Sequence, residues 1–417
     1  MDTTILTQLQ QAKKASFSAL TITTKQKNEA LTQLANLLEE QQAIIFEANQ
    51  FDISNAKNSG KDSAFVDRLT LNPTRYATMI EGIHTIITLP DPVGERYDES
   101  TLPNGLKLWK MRVPIGVILV VYEARPNVTI DVAGLALKSG NVCLAKGGSS
   151  SSQTNLALAK LVHKVLQQAG ISEDFFQYLE LQRHDDLYEV LKADQYIDLV
   201  IPRGGENLVR SVAEHSRIPV IMHDKGIDQI YIDQEADMDT AWKVCLNAKI
   251  NRPSTCNAVD VLLVHEAIAD SFLPTMIKQF LEKGVEVRGD EKTRSYNEQV
   301  ILATEKDWGY EFLDFVVAIK VVKNLDEATS YINTYGSRHT EAIMTENKPV
   351  AEEFIKKIDA GVVFVNASTR LNDGFEFGLG AELGVSTGKL HARGPMALKE
   401  MTTYKWIGWG SGQIREK

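Results

Sequence analysis

The sequence predicts an α/β protein with two doubly wound α/β domains and a small β ribbon, and three observations carry that prediction. The stretch IGVILVVY (115–122) is apolar without polar alternation, as expected of a strand covered on both faces of a parallel sheet. Strands and helices then alternate with short connections, and a second such series begins near Gln229 and runs to about residue 365. Finally, Asn104-Gly105 separates two strand-like stretches within 94–112; Asn-Gly favours the positive φ of a tight hairpin turn and so predicts an antiparallel ribbon.

Residues 1–90 read mostly as helices, with Leu31, Leu34, Leu37 and Leu38 at three- and four-residue spacing in a polar background. After the buried strand, a helix over 128–138 closes at Gly140, a strand covers 141–145, and a helix over 153–169 ends at Gly170. Strand FQYLEL, helix HDDLYEVLK, strand YIDLVIP, helix ENLVRSVAEH and strand IPVIM complete the first series. The second contains strands IYID, AVDVLLVH, VVAIKVV, EAIMT and GVVFVN. The glycine-rich segment 375–394 is too irregular for a packed element and reads as a functional loop. The tail TTYKWIGWG (402–410) reads as an aromatic strand that joins the hairpin in an exposed sheet, whose open edges suit a homo-oligomer. The expected domains are 1–228, interrupted by the hairpin 95–112, then 229–378, with a ribbon of 95–112 and 400–412.

At 417 residues the chain exceeds one comfortable core, and 43% hydrophobic with 24% charged residues describes an ordinary globular protein. A formal charge of -10 argues against nucleic acid, which needs clustered Lys and Arg. Cys143, Cys245 and Cys256 have neither C-x-x-C spacing nor an even count, which disfavours disulfides and zinc ribbons and fits a reducing cytoplasm. Neither a signal peptide nor a membrane span is expected, and no metal site.

Four stretches carry chemistry. In KGGSSSSQTN (146–155), between strand and helix, Gly147 and Gly148 let the backbone approach a ligand and the helix amides favour an anion. Lys146 and the serines from Ser149 onward, with no carboxylate until Glu173, suit a ribose 2′-phosphate and so NADPH over NADH; the plain alternative is a solvated loop capping a helix. A G-x-G-x-x-G fingerprint is absent at the first strand. IPRGGENL repeats the strand-to-helix layout with Gly204 and Gly205, on the same expected edge of the sheet. YEARPNVT ends the buried strand with Asn127, either a donor to a developing oxyanion, worth about 3 kcal/mol, or the N-cap of the next helix. Cys256, in NRPSTCNA, has polar loop flanks, whereas Cys143 lies in an apolar strand and Cys245 on a helix, where buried inert thiols are expected. Lys249 and Arg252 are close in sequence, and nearby cations favour a thiolate and receive anionic substrate groups.

VPIGVILVVYEARPNVTIDVAGLALKSGN, IPRGG, NRPSTCNAV, YGSRHTEAI and FGLGAELGVSTGKLHARGPMAL together resemble the γ-glutamyl phosphate reductases (glutamate-5-semialdehyde dehydrogenases), a branch of the aldehyde dehydrogenase superfamily. The resemblance covers roughly 110–410. It implies an aldehyde-dehydrogenase-like fold with cofactor domain, catalytic domain and oligomerisation ribbon. It also implies Cys256 as nucleophile, Asn127 as oxyanion donor, and NADPH-dependent reduction of L-glutamyl 5-phosphate through a Cys thioester in proline biosynthesis. A transient contact with the glutamate 5-kinase that makes the acyl phosphate is a further implied partner. Glu311 loosely matches the superfamily's ribose-binding glutamate. For the substrate, Arg125, Arg203 and Arg252 are candidates for carboxylate or phosphate, Glu382 for the amine, and His339 and His391 for further contacts.

Hydrolytic relatives carry a glutamate in an E-L-G-G stretch before the cysteine; the corresponding HDKGIDQIYID (223–233) has none, which favours the reductase. The chain departs from the resemblance where a G-x-C-H stretch is expected and Gly226-Ile227-Asp228-Gln229 stands, and where Arg338 replaces a glycine before His339. An oxidising aldehyde dehydrogenase and a catalytically silent assembly partner remain the alternatives.

Overall fold

The computed structural model describes residues 2–181, 183–222, 225–380 and 382–415. The chain forms two compact units, Met1–Met222 with Leu379–Gly384 and Met396–Lys417, and His223–Gly378 with Val385–Pro395.

The first unit begins with helices Thr3–Ala19, Thr24–Glu40, Gln42–Asn58, Ser63–Leu69 and Pro73–Thr88. Their starts are written in the sequence. Asp2, Asp62 and Asn72 each accept a backbone N–H of the first turn, and Thr23 with Gln26 forms a capping box; each such cap is worth about 1 kcal/mol. Leu31, Leu34, Leu37 and Leu38 are all buried, as their spacing requires.

A four-stranded parallel sheet follows, in the order Phe176–Tyr178, Val142–Lys146, Val117–Tyr122, Leu199–Arg203. Every residue of the central strand is buried, which explains its unbroken apolar run. Helix Val128–Ser139 ends at Gly140 in the left-handed conformation (φ +75°), where a side chain would meet Pro114. The expected strand IPVIM reduces to one bridge between Val200 and Val220. Pro219 has no N–H to donate, and the Ile218 N–H is taken by the Ser216 hydroxyl.

Strands Arg96–Thr101, Lys107–Pro114 and Thr402–Trp409 form the antiparallel ribbon, with Lys107–Pro114 in the middle. Its turn spans Leu102–Gly105, closed by the Gly105 N–H on the Leu102 carbonyl (2.8 Å), and only Gly105 (φ +84°) of the Asn-Gly pair is left-handed. It is thus a longer turn with a glycine at its end, not a two-residue hairpin.

The second unit holds a seven-stranded parallel sheet in the order Ile301–Leu302, Glu286–Gly289, Val316–Val322, Val259–His265, Asp228–Ile232, Thr340–Met344, Val362–Val365. One face packs Phe272, Met276, Ile277 and Phe280, the other Trp308, Tyr331 and Phe354. The two strands at one edge, Glu286–Gly289 and Ile301–Leu302, are absent from the sequence reading because they are short and charged or exposed. Segment 375–394 is divided between the units, and Val385–Ser386 pairs with Gly394–Pro395; its Ala381 lies outside the described residues.

Candidate active site

In the second unit, Cys256 sits in the loop joining helix Met238–Ile250 to strand Val259–His265. Arg252, left-handed at φ +64°, turns the chain so that its carbonyl accepts the Thr255 N–H (3.2 Å) and hydroxyl (2.8 Å). On the far side of the cysteine, the buried Asn257 donates to the Asn372 carbonyl (2.9 Å) and accepts through its own carbonyl from Thr369 Oγ1 (2.8 Å). Cys256 is therefore clamped between two fixed backbone segments while its own side chain stays partly accessible. Cys143 and Cys245 are buried, and burial pushes both thiols far above their ordinary range.

Gly226 packs directly on this loop: a Cβ there would fall inside the Cys256 carbonyl group and 2.9 Å from the Cys256 Cβ. Its N–H donates to Glu311 Oε1 (3.0 Å), and the next N–H, of Ile227, donates to Ser337 Oγ (2.8 Å). His223 and Asp224 of the same stretch lie outside the described residues. Asp228 opens the neighbouring strand, and its Oδ1 stands 2.9 Å from His339 Nδ1 and accepts the Thr340 N–H at 3.2 Å. Asp228 and His339 are both fully buried. Burial alone would lower the imidazole, but Asp228 and Cys256 beside it outweigh burial and hold it well above the ordinary histidine value. Burial raises the Asp228 carboxyl against the pull of His339.

Several predicted residues fall into place differently. Lys249 does not serve the cysteine; it is buried in an ion pair with Asp260 (3.4 Å) because it lies on the same inward stripe of its helix as Ala241, Cys245 and Ala248. Arg252 is exposed. The cation the sequence reading missed is Arg370, which interacts electrostatically with Cys256 and Asp228 and donates to the Asn251 carbonyl (2.6 Å). Its signal was the polar run ASTRLND directly after a strand. Glu311, matched loosely to a ribose contact, lies against Gly226, and burial raises its carboxyl. His391 belongs to the second unit as well.

In the first unit the predicted residues gather at the carboxyl edge of the sheet. Lys146 and Arg203 end the two strands that flank Val117–Tyr122, and Asn127 follows that strand by a short turn. Asn127 occupies the N-cap position of helix Val128–Ser139 without capping it; its amide donates instead to Asp131 (2.9 Å). Burial pushes the Asp131 carboxyl up to about 6, against the lowering influence of Asn127 and Arg203. Gly204 and Gly205 are exposed, the Gly205 N–H donating to Glu123 (3.1 Å), while Arg125 is exposed and its N–H folds back on the Glu123 carbonyl. Arg203 packs on Gly384 (φ +125°), next to the segment carrying Glu382.

The turn after Lys146 runs as a 3-10 helix Ser149–Ser151 into helix Ser152–Gln168. Its glycines are explained in part by packing, since a Cβ at Gly147 would strike Asn155 and the Tyr122 ring. The Gln153 and Thr154 amides are already accepted by the buried Asp52, so an anion meets the earlier part of the turn and not the helix amides. Lys146 Nζ donates to the Gly147 carbonyl (2.8 Å). Lys146, Arg203 and the Ser149 hydroxyl suit the phosphates of a dinucleotide, whereas the Gly204-Gly205 turn already holds the Glu123 carboxylate. Among the described residues no group of histidine, cysteine, aspartate or glutamate side chains is arranged to hold a metal, and no helix is long and apolar enough to cross a membrane.

The aldehyde dehydrogenase family model matches residues 3–295 and 311–407. The chain is 46% identical to the γ-glutamyl phosphate reductase of Thermodesulfovibrio yellowstonii over 412 residues, 99% of each chain, and equally to that of Moorella thermoacetica. Its structure matches the crystal structure of γ-glutamyl phosphate reductase from Thermotoga maritima with TM-score 0.96 at 44% identity, covering 99% of each chain. An acetylating aldehyde dehydrogenase from Geobacillus thermoglucosidasius, at 16% identity, shares the fold with TM-score 0.70 over 99% of this chain and 98% of that one.

Proposed function

Because the chain belongs to the aldehyde dehydrogenase family, and within it to the γ-glutamyl phosphate reductases, we propose that it reduces L-glutamyl 5-phosphate to L-glutamate 5-semialdehyde with release of phosphate, using NADPH, in proline biosynthesis. The observation that carries the reading is Cys256, the one accessible cysteine, clamped in a loop between Asn257 and Gly226. Attack by its thiolate on the acyl carbon expels phosphate and leaves a thioester, which separates a difficult displacement from the reduction. A bound nicotinamide supplies the hydride that turns the thioester into the aldehyde. The first unit is assigned to the cofactor, through Lys146, Ser149 and the glycine turns 147–148 and 204–205; Lys146 favours a 2′-phosphate. The second unit is assigned to the nucleophile. Asn127 keeps the oxyanion donor's part, with Asp131 fixing the direction of its amide. Arg203, Arg252, Arg125 and Glu382 stay candidates for the substrate's charged groups. The exposed aromatic ribbon supports a homo-oligomer.

Glu311 favours one second reading. The stretch before the cysteine lacks a glutamate, yet Glu311 reaches Gly226 from another segment, where a hydrolytic dehydrogenase would place a base for water. The reverse reaction separates the two. Glutamate semialdehyde with NADP+ or NAD+ is followed with and without inorganic phosphate, in wild type and Cys256→Ala. Phosphate-dependent reduction of NADP+ that disappears in Cys256→Ala is expected. Phosphate-independent turnover would establish the hydrolytic reading, and an active Cys256→Ala would remove the thioester from either.

A further inference from the structure

We propose that His339 is the acid–base partner of Cys256 and that Asp228 is the positioning residue that holds its ring in the working orientation. This rests on the thioester reading above and adds to it the path of the proton.

The geometry comes from two adjacent strands and one loop of the second unit. Strands Asp228–Ile232 and Thr340–Met344 pair in parallel with Glu341 opposite Gln229, which puts Thr340 opposite Asp228 and His339 one residue before it at their amino ends. Asp228 Oδ1 takes the Thr340 N–H and lies 2.9 Å from His339 Nδ1. Thr340 Oγ1, itself accepting from Asn372 Nδ2 (2.7 Å), stands 2.8 Å from the same nitrogen. Nδ1 is thus fixed by a carboxylate and a hydroxyl, and the ring's other nitrogen, Nε2, is buried. Gly226, two positions before Asp228, rests on the Cys256 backbone and Cβ, so the cysteine is delivered to the same corner. Cys256 is a hydrogen-bond partner of the His339 ring.

The carboxylate is this chain's own. Asp228 stands where the resemblance leads one to expect a cysteine, and a cysteine in that place has no full charge to orient an imidazole or stabilise an imidazolium. The groups facing His339 are Asp228 and Thr340 at its own edge, Cys256 from its loop, Glu311 beside Gly226, and Glu341 from the adjoining strand. Asp228 is the carboxyl among these that most favours the protonated ring, against the effect of burial.

The protons then balance. The Cys256 proton rests on Nε2 before attack; as the C–S bond forms, the bond from the acyl carbon to the phosphate oxygen breaks, and the departing phosphate takes that proton. Solvent then returns a proton to Nε2; after hydride reaches the thioester carbon, the C–S bond breaks as the carbonyl forms, and the sulfur is left beside a reprotonated Nε2 as at the start. Asp228 is not itself consumed.

The test compares wild type, His339→Gln, Asp228→Asn and Cys256→Ala in the reverse reaction, with circular dichroism to show folding. Alkylation of Cys256 by iodoacetamide, located by mass spectrometry, is the readout independent of cofactor. His339→Gln should lower kcat about 100-fold, slow alkylation of Cys256 at neutral pH, and remove one limb of the pH–rate profile. Asp228→Asn should lower kcat about tenfold with little change in KM and displace that limb, and it keeps the test open if His339→Gln does not fold. If folded His339→Gln, or Asp228→Asn in its absence, keeps wild-type kcat, pH profile and alkylation rate, His339 has no proton to carry and the proposal is wrong. If Cys256→Ala remains active, the thioester reading itself has failed, a result no His339 or Asp228 variant can produce.

Discussion

A lysine buried to zero exposure survives only if its charge is met, and Lys249 is met by Asp260 at 3.4 Å and by the Asp314 carbonyl at 3.3 Å. Removing one partner leaves the other charge stranded, so Lys249→Met should cost about 3–5 kcal/mol of stability in urea titrations. The double variant with Asp260→Leu should recover most of it. Recovery would show that the pair is a matter of structure and not of the cysteine, contrary to what its seven-residue distance from Cys256 suggests on sequence alone. Chain distance says nothing about direction; the helical stripe Ala241, Cys245, Ala248, Lys249 does, and it points inward. Asp131 makes the opposite kind of prediction. Its carboxyl is raised from 3.8 to about 6, first by burial, so the folded chain holds that proton after the unfolded chain has released it. Stability must therefore fall as pH rises from roughly 4 to about 6 and level off above. Asp131→Asn should flatten that part of the stability–pH curve, and a curve unchanged by the substitution would show that another group titrates there.

At the scale of elements, the two sheets use opposite edges. In the first unit Lys146, Arg203 and the glycine turns lie at the carboxyl ends of strands, the edge where open α/β sheets usually bind ligands. In the second unit Asp228, His339 and Cys256 all stand at or just before the amino ends of theirs. Helices reach that edge with their C-terminal ends, Met238–Ile250 before Cys256 and Leu325–Tyr335 before His339, the end of a helix that does not favour an anion. The side-chain cation beside Cys256 is Arg370. This is why the second site was only partly legible. The polar loop around Cys256 announced itself, but the rule about strand ends gives no reason to look for Asp228, which reads as the first residue of an ordinary buried strand. His339 was visible only as a histidine in a turn. Gly226 tests how tightly these amino ends are fitted. Gly226→Ala forces a methyl group against the Cys256 backbone, and a displacement of about 1 Å at a nucleophile can cost about 100-fold in rate. A folded variant with kcat reduced on that order is expected; near-normal kcat would mean that the cysteine loop yields freely.

For the molecule as a whole, the sequence reading succeeded where a long apolar period decides the element and failed where local chemistry does. The central strand Val117–Tyr122 and helix Val128–Ser139 lie where expected, whereas Pro219 undid one strand and Gly105 moved one turn. The ribbon stands between these cases, because its three strands were foreseen but nothing within one chain explains their surface. Tyr404, Trp406 and Trp409 are 48%, 56% and 69% exposed on the edge strand Thr402–Trp409, and Lys110 lies over the Tyr404 and Trp406 rings at 4.7 and 5.1 Å. An aromatic edge strand left open is a template for pairing with another chain. A net charge of -10 keeps such a protein soluble without covering that edge. Replacing Trp406 and Trp409 together by lysine should lower the mass measured by light scattering or sedimentation to that of a smaller assembly. The substitutions are remote in sequence from Cys256 and His339, and no ribbon residue belongs to the core on either face of the second unit's sheet. The thermal transition of the individual chain should consequently change little beyond what dissociation itself removes. An unchanged mass would place the interface elsewhere and leave the exposed tryptophans without a role in assembly.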